Sequence, residues 1–223
     1  MKKIFFVVFV FAALCGCGPR VSREAPYGLG APRLKTGDLI FVGRPVQYDN
    51  GGDSMDGAIA SATGREGEDM NLIHVAIAEV KKDSVWIIDA TLAHGVDRHP
   101  LDTFLKDFRF RKGEPVFIVK RPKGVDVMAA VERAKSLCGR AYDVRFQEGN
   151  EDFYCTELVQ VCYLDKEGRQ VFKSEPMNWL APDGTMPAYW ERLFGNLGMS
   201  VPQGLPGTNP RRMSESDCLQ PVF

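Results

Sequence analysis

Histidine is scarce in this chain of 223 residues: there are three. No two cysteines stand in a CxxC spacing and no histidine–cysteine cluster occurs, which argues against a structural zinc site. A basic surplus is missing as well. Lys and Arg number 28 against 29 Asp and Glu, a formal charge of -1, which argues against a broad nucleic-acid footprint. There is no internal repeat and no low-complexity block. What remains is ordinary for a globular protein: 44% hydrophobic and 26% charged residues, enough for one domain with a sizeable core.

The first residues read as a targeting segment. Lys2 and Lys3 precede an apolar run, Ile4 to Leu14, that falls short of the roughly 20 residues of a membrane-spanning helix. The run ends in Leu14-Cys15-Gly16-Cys17, which resembles the bacterial lipoprotein lipobox with Cys17 as the acylated residue. The expected organisation is a lipoprotein signal at 1–17, a Gly-, Pro- and Arg-rich flexible tether at 18–34, and one domain at 35–223. Four cysteines then remain. Cys138 and Cys162 fall on apolar faces of expected helices and read as core thiols; Cys218 lies in a polar tail.

Leu39 to Val42 reads as a short strand, and Arg44 to Asp53 as a loop. Met55 to Ala62 has the composition of a short helix. Leu72 to Val80 alternates, with Ile73, Val75 and Ile77 on one face and Leu72, His74 and Ala76 on the other. Val85 to Ala90 alternates too, with Val85, Ile87 and Asp89 sharing a face. The short connection between them predicts an antiparallel hairpin. If its loop has two residues, His74 and Asp89 share a face, with Cβ atoms about 4.5–8 Å apart.

Further along, a helix is expected from Pro100, carrying Leu101, Phe104, Leu105 and Phe108, then a buried strand at Pro115 to Lys120. Asp126 caps a helix that Gly139 stops. Gln170 to Lys173 reads as a strand and Ala188 to Leu197 as a short helix.

The chemistry points to Phe153–Tyr163. A polar loop precedes Cys155, and Leu158, Val159, Cys162 and Tyr163 then repeat with helical spacing. A thiol at a helix start feels the positive end of the dipole, which favours the nucleophilic thiolate. Alone, such a cysteine is as readily a small buried residue. A nucleophile needs a base, and the base needs a partner. His74, with Asp89 on its face, supplies both, whereas His94 and His99 sit among charged residues and read as surface.

Taken together, Gly37-Asp38-Leu39-Ile40-Phe41, His74-Val75-Ala76-Ile77, Ile88-Asp89-Ala90-Thr91, Tyr142-Asp143 and Tyr154-Cys155-Thr156-Glu157-Leu158-Val159 resemble one family. It is the circularly permuted, YiiX/YaeF-like branch of the NlpC-type papain-like cysteine peptidase superfamily, in which the histidine precedes the cysteine. The resemblance spans Leu34 to Phe172. It implies an α+β, permuted papain-like fold: a small antiparallel sheet or half-barrel packed on the cysteine-bearing helix. It also implies Cys155 as nucleophile, His74 as base and Asp89 as third member, with Tyr142 and Glu157 at the substrate pocket. A glutamate is accommodated as readily at position 89, and an aspartate reaches less far.

The expected activity is amide hydrolysis without metal or organic cofactor, on peptide or acyl-amide substrates such as peptidoglycan fragments, by an enzyme lipid-anchored in the bacterial envelope at a periplasmic or outer-membrane face. The alternatives are the same acyl chemistry on a lipid (thioesterase, lipase or acyltransferase) and a non-catalytic envelope lipoprotein.

Overall fold

The computed structural model describes residues 26–31, 33–48, 54–65 and 67–223. The targeting segment at 1–17, Cys17 and the first part of the expected tether lie outside the described residues. The later part of 18–34 is not a loose tether: Leu29 and Leu34 are fully buried and join the core.

Among the described residues, eight strands and six α-helices follow in order: β1 (Leu39–Pro45), α1 (Met55–Thr63), β2 (Met70–Lys81), β3 (Ser84–Thr91), β4 (Gly95–Pro100), α2 (Leu101–Asp107), β5 (Val116–Pro122), α3 (Val127–Ser136), α4 (Cys155–Cys162), β6 (Glu175–Pro176), α5 (Ala188–Asn196), β7 (Pro206–Gly207), α6 (Pro210–Ser214) and β8 (Leu219–Pro221). Six strands form one antiparallel sheet in the order β4-β3-β2-β1-β5-β8, and β6 and β7 make a separate two-stranded ribbon. The α+β class expected from the sequence is what the chain adopts.

Period-two alternation builds a core on each face of the sheet. Leu39 and Phe41 point to one side with Val75, Ile77, Ile88 and Ala90, and there they meet Val131 of α3 and Leu158, Val159 and Cys162 of α4. Ile40 and Val42 point to the other side with Ala76, Ala78 and Ile87, against Phe104 and Phe108. Each fully buried large side chain contributes about 1.5–3 kcal/mol, so both layers stabilise the sheet. The Gly37-Asp38 turn ties the layers together. Gly37 adopts φ +86, and a Cβ there would lie 2.4 Å from the Cβ of Val127. Arg121 Nε and Nη2 each donate to the buried Asp38 carboxylate at 2.7 Å, and Tyr163 Oη donates to Gly37 O at 3.0 Å.

Two features of β2 place the site. First, Lys81 pairs with Ser84, so the β2–β3 loop has the two residues the hairpin reading required, with Lys82 at φ 54. Second, Val42 pairs with His74 but Gly43 with Leu72, which leaves Ile73 as an extra residue in a bulge. The bulge breaks the expected alternation: Ile73 packs with Ala76 and Ala78 rather than with Val75 and Ile77.

Several local expectations are corrected. Residues 44 and 45 continue β1, and Val46–Tyr48 form a 3-10 turn. Gln170–Lys173 makes only a single bridge, Leu164 to Gln170. Asp126 does cap α3, accepting from Ala129 N–H at 3.1 Å, but the helix ends at Ser136, so Cys138 falls beyond it and is exposed rather than core. The tail is packed. Trp179, Trp190 and Phe194 cluster with Phe146 and Tyr154 in a third buried group.

Candidate active site

Helix α4 is buried almost throughout, which its single apolar stripe does not announce. Tyr154 is the extended N-cap residue and Cys155 the first helical residue. The sheet covers one side of the helix, and the tail covers another. Thr156 Oγ1 donates to Thr208 O at 3.1 Å, and Thr208 N–H donates to Tyr154 Oη at 3.1 Å. Gln160 Nε2 donates to Phe172 O at 3.2 Å and to Ser174 Oγ at 2.8 Å. At the C-terminal end Arg133 donates twice to Cys162 O, satisfying a carbonyl the helix leaves open. Burial pushes the Cys162 thiol up to about 12, in keeping with an inert core cysteine.

Cys155 is 4% exposed. The structure brings it together with His74 and Asp89. His74 Nε2 lies 2.7 Å from Asp89 Oδ2, so the aspartate's short side chain does reach the ring. With Nε2 taken, Nδ1 is the ring nitrogen left for Cys155. Burial alone would push His74 down; the charge and hydrogen bond of Cys155 and the hydrogen bond of Asp89 outweigh it and raise the ring to about 10. Asp89 shows the complementary balance. Burial raises it, but hydrogen bonds from His74 and His99 hold it down at about 2. Phe108 packs on the ring of His74, centroids 4.7 Å apart.

His99 corrects the surface reading. It is 5% exposed, and its Nε2 lies 3.0 Å from the second carboxylate oxygen, Asp89 Oδ1. The β3–β4 register puts it there: Asp89 pairs with Asp97, so His99 sits two residues along on the same face. His94, as expected, stays partly exposed, 3.3 Å from Asp107.

Tyr142 lines the two hollows that flank the dyad. One is a slot of about 40 Å³ beside Cys155, walled by Phe146, Met177, Trp179 and Trp190. The other is an open groove of about 350 Å³ beside His74, with Asp56 on its rim. Burial, then the charge of Cys155, raises the Tyr142 hydroxyl well above its ordinary value, so it stays a neutral donor. The tail residues of the slot are not legible in the sequence, because tryptophans in a proline-rich stretch carry no spacing signal.

Glu157 does not line the slot. It is buried at the third helical position, with Oε2 lacking a hydrogen-bond partner among the described residues. Burial, then the charge of Asp143, raises it to about 8, partly offset by the backbone N–H groups of Tyr154 and Gly149. A carboxyl three residues after the N-cap, interacting with the N-cap N–H, is half of a capping box.

Among the described residues, no helix is long and apolar enough to cross a membrane.

A family model described as the permuted papain-like amidase enzyme, YaeF/YiiX, C92 family, matches residues 33–223. The chain belongs to that family and is a cysteine peptidase or amidase-like hydrolase. Among solved structures, it is similar to the metalloprotein yiiX from Escherichia coli O157:H7. The TM-score is 0.63 and the identity 21%, over 86% of this chain and 97% of that one. That likeness carries the fold. No curated protein matches. The relative is described as a metalloprotein, but among the described residues here no group of three or more His, Cys, Asp and Glu side chains is placed to hold a metal ion.

Proposed function

We propose that this member of the permuted papain-like amidases hydrolyses amides with Cys155 as nucleophile, His74 as general base and Asp89 as the group that orients the ring. The observation that carries the reading is His74 bonded to Asp89 at 2.7 Å through Nε2, with the charge and side chain of Cys155 acting on the same ring and its other nitrogen left for the thiol. The thiol proton passes to Nδ1 of His74. The sulfur attacks the carbonyl carbon, a C–S bond forms and the π pair moves to oxygen. The first N–H groups of α4, which have no intrahelical partner, face the developing oxyanion. Collapse breaks the C–N bond, and the leaving amine takes the proton from His74. Water, deprotonated by the same ring, then splits the thioester and restores the thiol.

The proposed location is the cell envelope, through acylation of Cys17, and the proposed substrates are cell-wall peptides. A second reading has a specific support. The slot beside Cys155 is lined mostly by apolar and aromatic side chains, a chemistry that would receive an alkyl group, so the same reaction on a lipid ester or thioester is its rival.

The test is Cys155→Ala, which should keep the fold and lose all turnover; activity retained in that variant overturns the mechanism. Assaying the unmodified protein on cell-wall peptides and, separately, on phospholipid and acyl-thioester substrates separates the readings. Turnover confined to the lipid substrates removes the amidase proposal for this chain.

A further inference from the structure

The Asp89 carboxylate is shared. β3 lies between β2 and β4, and the registers on its two sides place His74 and His99 on one face with Asp89, each two residues off its pairing position. One oxygen meets His74 Nε2 at 2.7 Å and the other meets His99 Nε2 at 3.0 Å. Asp89 is 2% exposed, so water does not supply these bonds.

An ionised carboxylate only accepts hydrogen bonds, so both Nε2 atoms must carry a proton. That fixes the tautomer of His74 and leaves its Nδ1 free to take the proton of Cys155. With His74 alone, the carboxylate plane could turn about its bond, and Oδ1 would be a buried acceptor with nothing to bond. A second donor at Oδ1 fixes the plane and keeps the charge on Asp89. His99 is itself held: its backbone pairs with Ile87, and its Nδ1 lies 3.3 Å from Pro100 O.

From this we propose that His99 is a positioning residue for the hydrolysis, a fourth member of the chain Cys155–His74–Asp89–His99 that holds the carboxylate in the one orientation that aims His74. The proposal rests on His74 being the base of Cys155. The charged and titratable groups around His99 are Asp89 on β3, Asp97 on its own strand and His94 on the preceding turn, the last paired with Asp107 of α2. None besides Asp89 bonds its Nε2.

The experiment compares His99→Gln, His99→Asn and His99→Leu with the unmodified protein, measuring kcat, KM and the pH profile of iodoacetamide alkylation at the Cys155 peptide. A glutamine amide reaches where Nε2 was and still donates to Oδ1; an asparagine falls short. The expected result is near-normal kcat and pH profile in His99→Gln. In His99→Asn and His99→Leu, kcat should be lower by roughly 10- to 100-fold with KM little changed. Alkylation at neutral pH should slow by a similar factor in those two. Equal behaviour of the Gln and Asn variants, in kcat or in the alkylation profile, overturns the proposal, whether or not His99→Leu folds. His74→Ala is the control for the reading beneath it. If Cys155 alkylation keeps its pH profile without His74, the base assignment fails. If His74→Ala alters that profile and the His99 variants do not, only the role of His99 fails.

Discussion

His74 Nε2 and Asp89 Oδ2 stand 2.7 Å apart on adjacent strands, both nearly sealed from water. In that setting a charge-assisted hydrogen bond is strong and an unpaired partner is costly. Much of what can be measured on this protein follows from that contact.

Asp89→Asn keeps the shape of the side chain and removes its charge. The amide can present its N–H to a ring, which favours the wrong tautomer of His74. We expect kcat to fall by roughly 10²- to 10⁴-fold while KM stays within a few-fold. Steady-state kinetics on the amide substrate checks this, and an Asn variant with normal kcat would remove Asp89 from the machinery.

The pH dependence of stability has a definite sign at each end. Asp89 is held at about 2, below its ordinary 3.8. Its contribution is present above that ordinary value and is lost as pH falls through about 2. His74 is raised from 6.5 to about 10. Its contribution is present below 6.5 and is lost as pH rises through about 10. Thermal unfolding across the pH range should therefore show weakening at both extremes, and His74→Ala should flatten the alkaline side.

Glu157 works the other way. Burial raises it from 4.5 to about 8, so between those values the folded chain binds the extra proton and stability declines as pH climbs. Glu157→Gln keeps a side-chain oxygen for the N-cap N–H and cannot ionise. It should be more stable than the unmodified protein at neutral pH, by about 2–3 kcal/mol. Denaturant unfolding measures it; a gain that is the same at acidic and neutral pH would show that ionisation is not the cause.

Tyr154→Phe leaves the buried N–H of Thr208 without its acceptor at 3.1 Å. The expected loss is about 1–3 kcal/mol. Because Thr208 and its neighbours wall the slot beside Cys155, KM should rise along with the loss of stability. An unchanged KM would show that the tail's anchoring does not reach the substrate.

Cys17→Ala tests the anchor independently of the fold. The variant should lose metabolic labelling by a fatty acid and move from the membrane to the soluble fraction. Undiminished labelling would place the lipid elsewhere or remove the lipoprotein reading.

The order His74, Asp89, Cys155 and the alternation of both strands were written in the chain. Alternation is a local property, and it places His74 and Asp89 on one face once the loop has two residues, the condition that the pairing of Lys81 with Ser84 meets. The start of α4 was legible for the same reason, since capping chemistry spans only a few residues. Tertiary structure alone decided the rest. The extra residue at Ile73 depends on how β1 pairs with β2, and no hydrophobic pattern records a bulge. The burial of His99 depends on the β3–β4 register. The exposure of Cys138 turns on where α3 stops, and the walls of the slot come from a tail whose prolines and tryptophans have no period. A residue's own sequence neighbours determine which strand or helix it joins; which side chains meet across the strands, and so which histidines share Asp89, is settled only when the sheet closes.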